Sequence, residues 1–168
     1  MKNISFDLSG KIDPLLAEVL GLVSREAVLL EIPFFIVGAM ARDIVLEFCY
    51  KLPPRRATRD LDIGVEVAGW EEYERLSRAL ISTGKFEGAK EPYVLMYGNL
   101  RVDIVPFGGV SPDQKTISWP PEHAVIMSIL GFKEAYDTSL LIRIHDAPVR
   151  GESAHSTWHG IDEDHLVE

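Results

Sequence analysis

The motif Arg59-Asp60-Leu61-Asp62 opens the stretch that decides the fold, Asp60-Leu61-Asp62-Ile63-Gly64-Val65-Glu66-Val67. Four branched apolar residues alternate here with acidic residues and glycine. That alternation predicts a β-strand with one face in the core and one polar face. Because strand side chains point alternately to the two faces, Asp60 and Asp62 are expected on the same side of the sheet.

A third aspartate, Asp103, lies in another apolar strand candidate, Arg101-Val102-Asp103-Ile104-Val105. Carboxylates gathered on one sheet face repel one another unless cations lie between them, which suggests a divalent-metal site. The alternative is a salt bridge between Asp103 and Arg101, two residues that share a strand face. We favour the metal site, because an unpaired carboxylate in an apolar strand is costly.

The flanking sequence predicts alternating helices and strands. Asp13-Pro14 is typical of a helix start, Pro33 of a helix end, and Gly98-Asn99 of a two-residue hairpin loop. Helices are predicted over 14–31, 40–50 and 70–82, and strands over 34–37, 60–67, 93–97, 100–105 and 140–144. This order predicts an α/β (α+β) fold with a small mixed β-sheet flanked by helices. We expect one domain over residues 1–149 and a polar, mobile tail over 150–168.

Net charge, cysteine content and the distribution of apolar residues exclude several classes of protein. A net charge of −9 over 168 residues argues against bulk electrostatic coating of nucleic acid. One cysteine excludes an internal disulfide, and the start lacks a signal peptide's apolar core, so we expect a cytoplasmic protein. The longest apolar tract, 27–40, is interrupted by Glu31 and Pro33, so no membrane association is expected.

A local basic cluster precedes the acidic pair. It consists of Lys51, Arg55, Arg56 and Arg59. It is either a solvated loop or a rim that attracts phosphate beside the metal site, and the residues alone leave both interpretations open.

Three segments together resemble the polymerase-β-type nucleotidyltransferase superfamily: Ile36-Val37-Gly38-Ala39-Met40-Ala41-Arg42-Asp43, Thr58-Arg59-Asp60-Leu61-Asp62-Ile63 and Val102-Asp103-Ile104. That superfamily has a small-residue turn opening a helix, an Asp-x-Asp on the next strand and a third aspartate on a later strand. The run through Val105-Pro106-Phe107-Gly108 is most similar to the AbiEii-like toxin branch. The chain departs from the pattern at Ala39, where the family usually has glycine or serine.

The resemblance implies a palm-like nucleotidyltransferase fold and two Mg²⁺ ions held by Asp60, Asp62 and Asp103. A nucleoside triphosphate would be the substrate, with Gly38 and Ala39 close to its phosphates. Arg42 would contact phosphate or pair with Asp43, and we favour the pairing. Arg59 would contact the triphosphate or neutralise the acidic cluster.

The implied reaction moves a nucleoside monophosphate to an acceptor hydroxyl on an RNA end, a protein or a small molecule. The toxin-like branch favours RNA or protein, and it implies an antitoxin as a partner. The alternative is a non-catalytic nucleotide- or partner-binding module with a degenerate or truncated form of the fold.

Overall fold

The computed structural model describes residues 5–53, 60–145 and 155–160. Within these ranges the helices are α1 (Pro14–Leu29), α2 (Gly38–Phe48), α3 (Trp70–Ser82) and α4 (Phe132–Asp137). The strands are β1 (Ser5–Asp7), β2 (Phe34–Val37), β3 (Asp60–Val67), β4 (Glu87–Gly88), β5 (Val94–Tyr97), β6 (Leu100–Gly108), β7 (Thr116–Ser118), β8 (Ile126–Ser128), β9 (Leu140–His145) and β10 (His155–Gly160).

The predicted elements are confirmed with small shifts at their ends. The strand at 60–67 and the helix at 70–82 have the predicted bounds, while α1 ends two residues early and α2 spans 38–48 rather than 40–50. The Asp13 side chain caps α1 by accepting hydrogen bonds from the N–H groups of Leu15 and Leu16. The predicted hairpin around Gly98-Asn99 joins β5 to β6.

Six short elements were not predicted: β1, β4, β7, β8, α4 and β10. Three of them lie between residues 108 and 140, where the sequence predicted no helix or strand. Each of these three has three to six residues. Segments of this length contain too few repeats of an apolar pattern for periodicity to reveal them.

The central sheet has five strands in the order β2-β3-β6-β5-β4. Strands β3 and β6 run parallel, and the other neighbouring pairs run antiparallel. The sheet is therefore mixed and flanked by helices, as the sequence predicted. Strands β1, β9 and β10 form a second sheet, and β7 pairs with β8 in a third.

The two faces of β3 have different neighbours. Its apolar residues Leu61, Ile63 and Val65 are fully buried, and α3 contacts this strand. From α3, the Tyr73 hydroxyl donates to the carbonyl oxygen of Ile104 on the adjoining strand β6. The core thus fixes the polar residues of β3 on the opposite face.

The polar C-terminal segment contributes one strand. Residues 155–160 form β10, which pairs antiparallel with β9. The domain boundary at residue 150 and the mobility of the tail stay predictions. In the described ranges no helix combines the length and the apolar character that crossing a membrane requires.

Candidate functional site at the acidic end of the central sheet

The register of the two parallel strands brings the predicted acidic residues together. Asp62 pairs with Asp103 between β3 and β6, and Asp60 pairs with Arg101 two positions earlier. Residues paired across a sheet share a face, as do residues two apart along a strand. Asp60, Asp62, Arg101 and Asp103 therefore lie on one face, near the first residues of β3.

Gly38 closes this cluster from the side of β2. Val37, the last residue of β2, pairs with Asp62, so the next residue begins α2 beside that carboxylate. Gly38 has a φ of +70°, and an added Cβ would overlap Oδ2 of Asp62. Only glycine combines this left-handed backbone with such a close approach without strain. The helix start and the acidic pair are thus in direct contact.

The carboxylates of the cluster have different electrostatic surroundings. Burial raises the pKa of Asp62, and the neighbouring carboxylates of Asp103 and Asp60 raise it further, while Arg101 lowers it. Asp103 has a strong partner of its own: Arg101 Nε donates to its Oδ1 at 2.7 Å and Nη2 to its Oδ2 at 3.1 Å. The salt bridge that the sequence left as an alternative is therefore formed.

The oxygen ligands that these three aspartates offer are of the type that binds a hard divalent cation. Carboxylate oxygens are the ligands that Mg²⁺ and Ca²⁺ prefer, and the like-charge repulsion on Asp62 is what a cation would relieve. Among the described residues, however, no three His, Cys, Asp or Glu side chains are placed ready to hold a metal ion. Asp60, Asp62 and Asp103 thus fit the ion in type and strand position, while Asp103 is held in an ion pair with Arg101.

The residues predicted to contact the triphosphate, and the basic cluster before β3, are distinct from the group of three aspartates. Arg42 pairs with Asp43 through Nη2 and Oδ1 at 2.9 Å, the pairing that the sequence favoured. Ala39 is half-buried in the first turn of α2. Arg59, with Arg55 and Arg56, lies outside the described residues, so the role of the basic cluster stays a prediction. The Lys51 ammonium donates to the carbonyl oxygen of Phe48.

The opposite end of the same sheet face is covered by α4, a helix that no sequence pattern predicted. Phe132 and Tyr136 of this helix pack on Phe35 and Phe107, with ring centroids 5.6–6.0 Å apart. Lys133 also bridges to Glu66 on β3 at 3.4 Å. The alternation of β3 had placed Glu66 on this face, but no local pattern identified its partner. The face is thus divided into a covered aromatic half and an acidic end.

A separate open pocket of about 430 Å³ lies near the start of α3. Its lining includes Trp70, Asp113 and His123. Asp113 accepts hydrogen bonds from the Lys115 and Thr116 N–H groups, which hold the pKa of its carboxyl well below the usual range. These bonds within the loop explain the position of Asp113 without a ligand.

Comparisons with known proteins give distant structural similarity. Neither protein-family models nor curated proteins match the chain. The solution structure of the antibiotic-resistance factor ANT(2'')-Ia is 18% identical with a TM-score of 0.44, covering 66% of this chain and 56% of that one. A CCA-adding enzyme in complex with CTP is 24% identical with a TM-score of 0.40, covering 58% and 22%. The Thermotoga maritima CCA-adding enzyme complexed with tRNA is 19% identical with a TM-score of 0.41, covering 76% and 32%.

These solved structures are nucleotidyltransferases. The chain spans only about half the length of the first one and about a fifth of the second.

Proposed function

We propose that this chain is a divalent-metal-dependent nucleotidyltransferase domain, which transfers a nucleoside monophosphate from a triphosphate to an acceptor hydroxyl. The observation that carries the proposal is the pairing of Asp62 with Asp103 across β3 and β6, with Asp60 on the same face and Gly38 against Asp62. A carboxylate cluster beside the start of a helix combines ligands for cations with backbone N–H groups for phosphate.

Each residue would have a distinct task. Asp60, Asp62 and Asp103 would hold two Mg²⁺ ions, which would neutralise charge on the triphosphate. Gly38 and Ala39 would let the phosphates approach the first N–H groups of α2, where Val37 provides no side-chain cap. Arg42 and Arg59 are the candidate cations for the triphosphate, although Arg42 would first have to leave Asp43.

The reaction would be an in-line displacement at the α-phosphorus. The acceptor oxygen forms a bond to this phosphorus while the bond to the bridging oxygen of the leaving group breaks, and pyrophosphate departs. Asp103 would take the proton of the acceptor hydroxyl. Its pairing opposite Asp62 supports this role, because the proton acceptor and the triphosphate site would then be adjacent.

The acceptor class is proposed from the toxin-like sequence pattern. We favour an RNA end or a protein hydroxyl over a small molecule, in a cytoplasmic protein whose activity an antitoxin would restrain. The proposed catalytic unit is residues 1–149, with 150–168 as an appended tail.

Calorimetric titration with the four nucleoside triphosphates, with and without Mg²⁺, tests the binding site. We expect binding that requires Mg²⁺ and is lost in Asp60→Asn and Asp62→Asn. Glu74→Gln, which removes one carboxylate from an exposed position on α3, should bind like the wild type. Binding of equal strength without Mg²⁺, or equal loss in Glu74→Gln, would contradict the proposal.

Turnover is tested with labelled triphosphates of all four bases, incubated with total RNA and total cell protein. Label should appear in one fraction with the wild type and be absent with Asp62→Asn, and the labelled fraction identifies the acceptor class. If the wild type transfers no more label than Asp62→Asn, the chain is not an active transferase.

A second candidate is a non-catalytic nucleotide- or partner-binding module. The bidentate ion pair between Arg101 and Asp103 favours it, since both oxygens of the third carboxylate already have a partner. This candidate predicts triphosphate binding that does not respond to Mg²⁺, together with no transfer of label. The two experiments above therefore separate the candidates.

A further inference from the structure

Arg101 lies within the acidic cluster and is not used in the proposed chemistry. Its guanidinium donates two hydrogen bonds to the Asp103 carboxylate, at 2.7 and 3.1 Å. Its backbone pairs with Asp60, and its charge lowers the pKa of Asp62. One positive side chain thus binds Asp103, acts on Asp62 through its charge, and lies on the strand face that Asp60 shares.

The Arg101 guanidinium occupies the position beside Asp103 that a bound cation would take. A guanidinium fork matches the two oxygens of a carboxylate, and such bidentate pairs are among the stronger ion pairs of proteins. The Arg101 side chain nevertheless keeps 37% of its surface exposed, so it has room to move away from Asp103. A metal ion bound to Asp103 would place a second positive charge beside the guanidinium, and the repulsion between the two would drive the exposed arginine away.

We propose that Arg101 is an internal counter-ion that competes with the metal ion for Asp103 and moves to the triphosphate when the two bind together. This inference rests on the proposed function and concerns the regulation of the same site. Phosphate oxygens offer a displaced guanidinium the same bidentate partner that the carboxylate offered. A metal ion that binds alone therefore has to weaken the ion pair between Arg101 and Asp103. When metal and triphosphate bind together, Asp103 pairs with the metal and Arg101 pairs with phosphate.

The consequence is positive coupling between the two ligands. Each should increase the affinity for the other by the same factor, because coupling between binding sites is reciprocal. A site of this kind binds the free cation weakly and binds it more tightly once the nucleotide is present. A purely structural ion pair predicts no such coupling through Arg101.

Binding of Mn²⁺ alone, followed by the electron paramagnetic resonance signal of the free ion, tests the competition. Arg101→Gln should bind Mn²⁺ roughly two- to fivefold more tightly than the wild type, the size expected for a partly exposed ion pair. Arg78→Gln, which removes one positive charge from an exposed position on α3, should leave the affinity unchanged. An equal affinity in Arg101→Gln and the wild type would overturn the inference.

The coupling is measured by calorimetry with nonhydrolysable triphosphates in EDTA and in saturating Mn²⁺. The affinity gain from Mn²⁺ should be at least threefold smaller in Arg101→Gln than in the wild type, with Arg101→Lys between them because it keeps the charge and loses the fork. Arg101→Gln could instead change the triphosphate affinity by the same factor in EDTA and in Mn²⁺, so that the affinity gain from Mn²⁺ stays as in the wild type. In that case Arg101 acts only through its charge and the inference is wrong.

The outcomes separate this inference from the proposed function. If the wild type shows no Mn²⁺-dependent triphosphate binding, the proposed function fails, and the inference fails with it. If the wild type shows that binding and the gain is unchanged in Arg101→Gln, only the inference fails. Should Arg101→Gln not fold, as judged by circular dichroism, the same comparison is made with Arg101→Lys, and an undiminished gain there also overturns it.

Discussion

Replacing Gly38 with alanine tests the contact between the start of α2 and the acidic cluster. Gly38 has a φ of +70°, and alanine in this left-handed region costs roughly 1–2 kcal/mol. The new Cβ would overlap Oδ2 of Asp62 and lie 3.1 and 3.3 Å from its Cγ and Cβ. Turning the carboxylate alone does not remove this crowding, so overpacking adds about 1–3 kcal/mol. We expect a total loss of about 2–5 kcal/mol in the free energy of unfolding.

Gly84 provides the matched control. Its φ is +73°, and an added Cβ would meet no atom within 4 Å. Gly84→Ala should therefore show only the backbone cost, about 1–2 kcal/mol. Urea unfolding of both variants and the wild type gives the difference, which isolates the collision with Asp62.

The same pair of variants links stability to the site. Gly38→Ala should also weaken Mg²⁺-dependent triphosphate binding, because its Cβ displaces a proposed metal ligand, whereas Gly84→Ala should bind like the wild type. Equal destabilisation by the two substitutions would mean that Asp62 does not lie against Gly38. The geometric basis of the proposed site would then be refuted.

Three further predictions concern charge and packing. Asp62→Asn should make the metal-free protein more stable at neutral pH. Because folding raises the pKa of Asp62 above its unfolded value near 3.8, the wild type loses stability as the pH rises through the folded pKa, and the amide variant does not. The urea midpoints of the two proteins, measured between about pH 4 and 8, should therefore diverge as the pH rises. A variant that parallels the wild type at every pH would contradict this. Gly64→Ala should lower the free energy of unfolding by about 1–3 kcal/mol, since its Cβ would overlap the buried Phe35 ring. Gly88→Ala, whose nearest atom would be 3.9 Å away, should cost less, and the reverse order in thermal unfolding would count against the packing described. Tyr73→Phe should cost about 1–2 kcal/mol, because the Tyr73 hydroxyl lies 3.1 Å from two main-chain carbonyl oxygens; an unchanged unfolding midpoint would mean these bonds add nothing.

The sequence predicted the regular elements well where a local pattern was long enough. The strand at 60–67 carries four core residues in alternation, and the helix at 70–82 has apolar residues at helical spacing. Both were located to the residue. By contrast, α4 has six residues, and its apolar side chains pack on Phe35 and Phe107 from far along the chain. Contacts of that kind leave no periodic signal within the segment that makes them.

The candidate site divides in the same way. Sequence alone determined that Asp60 and Asp62 share a strand face and that a small-residue turn follows β2, because both are properties of a few consecutive residues. The tertiary structure decided that Asp103 pairs with Asp62, that Gly38 abuts the same carboxylate, and that Arg101 forms the ion pair with Asp103. Strand register is set by the packing of the whole core, and a shift of one residue would have turned Asp103 to the opposite face.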